Sequence, residues 1–464
     1  LLAAAAPACS DASRETGEEA PSRPARPTCT ITLTSGGDLG AALIALPPSA
    51  EVVCLAPGRW LGPLVINRKL HLWGPPDAVL ALPGDGAITG SVVTLAAPGI
   101  TLAGLTIDGR GGRFDKLDAA VHVIADDATV EGVTVVHAVY GILVEKTRRA
   151  HILGNHVIGD AATAMGMRGD TIRLWESDDA TVAHNLVEDG RDIVVWYSRR
   201  NLVAHNRVLR GRYGTHLMYS HDNQIRDNAY VDGVVGVFVM YSRNVTLTRN
   251  LVLNASGASG MAIGLKDSGA LVVTDNLLLH DTTGLYIDDS PNQATDTLLI
   301  ARNAIRQCTT GVHFHTTPRR TTLSDNDFVD NASPVAADAG TRSDAALWHQ
   351  NHFDDYAGYD LDDDGTGDLP HRVASASDDL VAQLPALAFF QGTPALSLVD
   401  LGARLLPLWK PRVLLVDDAP RMSPHPLPAL TTVARSNGVH TAPGALAPRG
   451  HDDAGMNPEV LHAP

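Results

Sequence analysis

Positive charge is scarce in this chain: 36 Lys and Arg stand against 52 Asp and Glu, a net charge of −16 over 464 residues. No basic run offers the stripe of cations that neutralises a phosphate backbone, so nucleic acid is excluded as a partner. Phenylalanine is rare as well, 7 against 42 glycines, which argues for many tight turns and short strands over large aromatic cores. Cysteine occurs only at Cys9, Cys29, Cys54 and Cys308, and no two of these have the C-x-x-C spacing of a zinc or redox motif. No uninterrupted apolar stretch reaches the roughly 18 residues that cross a bilayer, so the mature chain is expected to be soluble or peripheral to a membrane. The length would fill about three ordinary domains, but a solenoid escapes that estimate because it grows along one axis.

The chain begins with small apolar residues, Leu1 to Ala8, followed by a polar, Pro-containing stretch to Pro27. Residues 1–27 read as the remnant of an export signal and a linker. Ala6, Ala8 and Cys9 have a weak likeness to a lipoprotein cleavage site, which leaves a lipid anchor at Cys9 open. Cys29 and Cys54 flank a short amphipathic helix and could be bridged in an oxidising compartment.

A repeat decides the expected fold. Asn155, Asn185, Asn206, Asn228, Asn250, Asn276, Asn303 and Asn326 recur at separations of 21 to 30 residues, each inside a similar short motif such as His-Asn-Leu-Val. That spacing fits one three-strand coil per repeat of a right-handed parallel β-helix, and the β-branched content argues against helical repeats. Stacked Asn side chains would form a ladder, and Asn tolerates the left-handed backbone such a turn demands. Gly104 and Gly132 are assigned the equivalent place in earlier coils. Residues 28–53 are expected to cap the N-terminal end, residues 54–353 to form the coils, and 354–420 to form a C-terminal cap. Residues 421–464, rich in Pro, Ala and Gly, are expected to be poorly ordered.

About a dozen residues after each Asn comes a strand of strict alternation: Ile172-Arg-Leu-Trp-Glu-Ser177, Ile193-Val-Val-Trp-Tyr-Ser198, Thr215-His-Leu-Met-Tyr-Ser220 and Val237-Phe-Val-Met-Tyr-Ser242. Period two turns Ile172, Leu174, Ile193, Val195, Val237 and Val239 inward and their neighbours outward. In-register stacking then lines up His216 with Phe238, and Trp175 with Trp196, Met218 and Met240. Thioethers beside an imidazole suit Cu(I) better than harder cations, and His216, Met218 and Met240 are the candidate copper ligands. Trp175, Trp196, Tyr197, Tyr219 and Tyr241 complete the surface, which serves equally as a hydrophobic docking strip for a partner protein.

Two other groups carry possible chemistry. Lys266, Asp267, Tyr286, Asp288, Asp289, His313 and His315 lie further along the same face, where a β-helical polysaccharide lyase or hydrolase would need acid and base groups. A solvated polar face is the plainer account. Asp360, Asp362, Asp364 and Asp368, with Gly365, match the first part of a calcium loop, but His371 stands where the last carboxylate belongs.

The rows Gly190-Arg-Asp-Ile-Val-Val-Trp-Tyr-Ser198, Gly211-Arg-Tyr-Gly-Thr-His-Leu-Met-Tyr-Ser-His-Asp222, Gly236-Val-Phe-Val-Met-Tyr-Ser242 and Gly264-Leu-Lys-Asp-Ser268, followed by Asp355-Tyr-Ala-Gly-Tyr-Asp-Leu-Asp362, resemble the NosD family. The resemblance runs from about Cys54 to about Pro420, leaving the leader and the tail outside it. It implies a periplasmic, non-catalytic β-helix held at the inner membrane through an ABC transporter made of a membrane subunit and an ATPase. It also implies a part in supplying copper to the copper-sulfur centre of nitrous oxide reductase, with a copper chaperone lipoprotein as donor. Phe389, Phe390, Leu398 and Leu401, in an apolar but proline-broken segment, are the expected dock for the membrane subunit. A carbohydrate-active β-helix using Lys266, Asp288 and His313 is the competing class, and a structural adhesin a third.

Overall fold

The computed structural model describes residues 24–34, 36–84, 89–390, 393–405 and 411–426. Among these residues short strands alternate with tight turns and stack into three sheets of 16, 14 and 12 strands, parallel except for the last pair of the largest. Successive coils pair in register, as in Ile172 with Ile193 and Leu174 with Val195, so every inward position meets its own kind one coil away. The expected inward residues Ile172, Leu174, Ile193, Val195, Val237 and Val239 are all fully buried in one continuous core.

The asparagines form the expected ladder. From Asn155 to Asn351 each Nδ2 donates to the Oδ1 of the next coil's Asn, with separations from 2.8 to 3.0 Å. The left-handed conformation, however, falls on the residue before each Asn: Gly154, His184, His205, Asp227, Arg249, Asp275, Arg302, Asp325 and Gln350 all have positive φ. The Asn side chain is turned inward to bond, while its predecessor bends the chain. Register therefore aligns Gly104 and Gly132 with Gly154, and Leu105 and Val133 occupy the Asn place in those coils. A second ladder escaped notice in the sequence. Ser177, Ser198, Ser220, Ser242 and Ser268 each donate a backbone N–H to the Oγ of the next serine at 3.0–3.1 Å.

Both ends differ from expectation in extent. Stacking starts before the assigned boundary, because Ile31–Leu33 already pairs with Val52–Leu55 and Gly37–Asp38 with Gly58–Leu61. Helix α1 (Leu39–Ile44), capped by Asp38 accepting from Ala41 N at 2.9 Å, lays Leu39 and Leu43 over that end. A Cys29–Cys54 disulfide ties the first strand segment to the next coil. At the other end Val413–Asp417 joins the 16-stranded sheet and pairs antiparallel with His371–Ala374. Residues 421–426, assigned to the tail, are exposed beyond Arg421 but tethered to the last coils: Arg421 Nε donates to Gln350 O at 2.8 Å, and His425 N to Asp327 Oδ2 at 2.9 Å. The leader with Cys9, and the tail from residue 427 onward, lie outside the described residues.

Helix α2 (Ala376–Gln383), a 3₁₀ turn (Pro385–Phe390) and helix α3 (Pro394–Leu405) sit between these two strands. Asp400 on α3 accepts from the Ala376 and Ser377 backbone N–H groups, both at 2.9 Å, so one carboxylate caps the neighbouring helix and pins the pair. Among the described residues no helix is long and apolar enough to cross a membrane.

Candidate functional site

The outer wall of the 12-stranded sheet carries the candidate site on the strands Ile172–Trp175, Asp192–Trp196, Tyr213–Met218, Val235–Met240 and Met261–Lys266. Register places Trp175, Trp196, Met218, Met240 and Lys266 in one column. Arg173, Val194, His216, Phe238 and Gly264 form the column beside it. His216 Nε2 lies 3.4 Å from Met240 Sδ, with Met218 as the rung next to Met240.

The His216 ring is enclosed by Trp196 at 5.4 Å, Tyr213 at 5.0 Å and Phe238 at 6.1 Å between centroids. It faces outward as its place in the strand requires, yet is only 6% exposed, because these aromatic neighbours cover it. Beside the two columns Tyr197, Tyr219 and Tyr241 stack at 5.3 and 4.8 Å. Each has φ near +50°, at 52, 51 and 49°, just before a ladder serine, so the turn itself holds the rings parallel. Trp175 and Trp196 share one cation, Arg173, whose guanidinium carbon is 4.6 and 5.1 Å from their centroids.

Under this aromatic cover runs a buried ionic chain that the sequence reading passed over. Arg173 Nη1 reaches Asp170 at 3.3 Å, and Arg191 Nε reaches the same carboxylate at 3.1 Å. Asp192 holds Arg212 Nε at 3.0 Å and lies 3.8 Å from His216 Nδ1. Burial pushes the Asp192 carboxyl up, but His216 and Arg212 outweigh it and hold it down at about 2. Asp170 goes the other way: burial raises it, and Asp192 nearby adds to the effect against the pull of Arg191. The signal was present in the repeated Gly190-Arg191-Asp192 and Gly211-Arg212-Tyr213 openings of successive strands. Met261 was missed too. Its sulfur lies over Gly264, so close that a Cβ built there would be 2.6 Å from it.

Four of the acid and base candidates further along the face are held in ion pairs, one within the set and two with Asp338. Lys266 Nζ pairs with Asp288 at 3.0 Å, His313 Nε2 with Asp338 Oδ1 at 2.8 Å, and His315 Nδ1 with Asp338 Oδ2 at 2.5 Å. In the acidic loop, carboxylate oxygens of Asp360, Asp362 and Asp364 come within 4.8 Å of one another. Asp368 does not join them. It turns back to accept from Leu361 N at 2.7 Å, while His371 lies 3.3 Å from Asp355. Asp364 beside it raises the Asp362 carboxyl above its ordinary range. In the α2–α3 region Phe389, Phe390, Leu398 and Leu401 are exposed, Phe389 to 86% and Leu398 to 65%.

A family model described as "Periplasmic copper-binding protein (NosD)" matches residues 154–358, a span that includes every strand of the site. A Pseudomonas aeruginosa protein named "Probable ABC transporter binding protein NosD" is 30% identical over 369 residues, covering 76% of this chain and 84% of its own. The chain belongs to the NosD family. A Stutzerimonas stutzeri NosD protein of the same name is 25% identical over 379 residues, or 77% of this chain and 83% of its own. Solved β-helices also resemble the fold. The A-module of an Azotobacter vinelandii mannuronan C-5 epimerase has a TM-score of 0.47 at 15% identity, covering 67% of this chain and 94% of that one. A PL6 alginate lyase has a TM-score of 0.48 at 12% identity, covering 69% and 85%.

Proposed function

We propose that this NosD protein is a periplasmic assembly factor that passes copper toward nitrous oxide reductase, for its copper-sulfur centre, and has no chemical step of its own. The observation that carries this reading is the 3.4 Å approach of His216 Nε2 to Met240 Sδ beside Met218. An N and an S so placed can share one ion at bond lengths of about 2.0 and 2.3 Å with an angle of about 105° at the metal. Two thioethers and an imidazole are neutral, and the soft thioethers bias the set toward a soft monovalent cation over Zn²⁺ or Mg²⁺. The names of the family and of its two relatives, which speak of copper and of an ABC transporter, agree with this reading.

In this account the stacked Tyr197, Tyr219 and Tyr241, with Trp175 and Trp196, receive the protein that brings or takes the ion, a copper chaperone lipoprotein on one side and the reductase on the other. The exposed apolar residues Phe389, Phe390, Leu398 and Leu401 dock to the transporter's membrane subunit, whose ATPase supplies the energy. The Asp360, Asp362 and Asp364 carboxylates would take a hard cation such as calcium. Copper transfer is tested by replacing Met218 and Met240 together with Leu, which keeps bulk and apolarity and removes both sulfurs. The reading expects the reductase made in cells with this variant to lack copper. Full loading would exclude thioether contact and leave the strip as a docking surface only.

A further inference from the structure

The role of Asp192 inferred below its aromatic cover rests on the copper reading, in which His216 is a ligand through Nε2 and the other ring nitrogen must carry the proton. Nδ1 is buried and has no hydrogen-bond partner; the nearest acceptor is Asp192 Oδ2 at 3.8 Å. The ring cannot turn freely to find another, since Trp196, Tyr213 and Phe238 enclose it. Asp192 is just as firmly held. Its Oδ1 accepts from Arg212 Nε at 3.0 Å and from Tyr213 N at 3.2 Å, Arg212 Nη2 bonds its Oδ2, and its side chain is fully buried.

We propose that Asp192 is a positioning residue for His216: the charge of its fixed carboxylate selects the Nδ1–H tautomer over the Nε2–H form, which would donate to the weak thioether acceptor Met240 Sδ at 3.4 Å, and so leaves the Nε2 lone pair facing Met240 and open to a soft cation. The physical reason is the dry setting. An N–H directed at a buried carboxylate is attractive, whereas a nitrogen lone pair directed at the same oxygen is repulsive, and little water is present to weaken either effect. A carboxylate behind a metal-bound imidazole is a general device for fixing tautomer and ring orientation. Asp170 provides a natural comparison, being a second buried carboxylate of the same ionic chain that serves Arg173 and Arg191.

The test uses the full chain and two substitutions. In Asp192→Asn the oxygen should stay at the Oδ1 position, where Arg212 Nε and Tyr213 N both require an acceptor, and only the single Arg212 Nη2 bond at the Oδ2 position is given up. The new NH₂ then faces His216 Nδ1 and donates to it, which forces the opposite tautomer. Nitrogen-15 NMR of histidine-labelled protein without metal, at a pH of about 8 where free imidazole is neutral, should show Nδ1–H at His216 in the unaltered chain. His216→Gln identifies the signal. Asp192→Asn should switch it to Nε2–H and weaken Cu(I) binding, measured by chelator competition, by about 10- to 100-fold. Asp170→Asn should change neither.

An Nε2–H tautomer in the unaltered chain overturns the proposal, as does an Asp192→Asn protein with unchanged tautomer and affinity. Equal weakening by both substitutions would also overturn it, since it would show a general packing role. If the unaltered chain bound no Cu(I), the copper reading would fall, and the tautomer measurement would still decide what Asp192 does. Should Asp192→Asn not fold, the tautomer in the unaltered chain decides alone.

Discussion

Asp417 ends the asparagine ladder: one carboxylate oxygen accepts both the backbone N–H of Asn351, at 2.9 Å, and its side-chain Nδ2, at 2.8 Å. The same residue accepts from Gln350 N at 3.2 Å and Ala419 N at 3.1 Å while fully buried. Asp417→Ala strands these donors away from water, at a cost of about 1–3 kcal/mol for each group left unpaired. A solenoid couples only neighbouring coils, so the loss should be local. Hydrogen exchange should speed up at residues 347–353 and stay slow around residues 180–210. Uniform acceleration along the chain would show that the coils unfold as one unit.

Gly264 should resist any side chain. A Cβ there would lie 2.6 Å from Met261 Sδ and 2.7 and 2.8 Å from two Phe238 ring carbons. Overpacking of this kind costs about 1–3 kcal/mol. Gly264→Ala is expected to lower the melting temperature and to disturb the stacking of Phe238 on His216. A variant that melts with the parent would mean that Met261 swings aside freely.

Asp281 should make the protein less stable as pH rises. It is buried, and burial pushes its carboxyl well above the ordinary range against the two backbone bonds that lower it. One oxygen accepts from Ala255 N at 2.7 Å, and the other has no partner. A folded pKa raised above the unfolded value of about 3.9 means that the folded state keeps the proton longer, so stability falls from about pH 4 upward until the folded pKa is passed. Asp281→Asn carries no charge to desolvate and should remove this part of the slope. Melting temperatures at acid and neutral pH should converge in the variant, and an unchanged pH dependence would remove Asp281 as its source.

The α2–α3 surface should matter for association and little for folding. Phe389, Leu398 and Leu401 are exposed to 86%, 65% and 50%. Changing all three to Ser should leave the stability within about 1 kcal/mol of the parent's, as changes at exposed positions usually do. Capture of transporter subunits from membranes should be lost. Retained capture would move the dock elsewhere on the rod.

The coils were legible in the sequence because their constraints are short and repeated. Period-two alternation fixed which of Ile193, Val195, Val237 and Val239 face the core, and the recurrent Asn fixed the register that brings Met218 beside Met240. What was missed depends on turns of variable length. The left-handed residue precedes the Asn because the amide must point inward, a fact of backbone geometry that residue type does not reveal. Asp170 lies just before its strand and Asp192 opens one whose register shifts between Asp192 and Val194, so alternation could not place them. The pairing of His313 and His315 with Asp338 crosses a whole coil, as does that of Lys266 with Asp288, and spacing alone made them look available for catalysis. The Asp368 carboxylate was assigned to the acidic cluster by motif position, whereas the fold of the loop gives it a backbone N–H to satisfy.

The copper reading requires a soft cation held between His216 and the Met218–Met240 pair. X-ray absorption of the full-length protein carrying one equivalent of Cu(I) tests it most directly, compared with the Met218→Leu, Met240→Leu double variant. Sulfur and imidazole nitrogen neighbours are expected in the parent, at about 2.3 and 2.0 Å, with loss of the sulfur shell in the variant. Copper bound without sulfur in the parent, or an identical sulfur shell after both replacements, would contradict it.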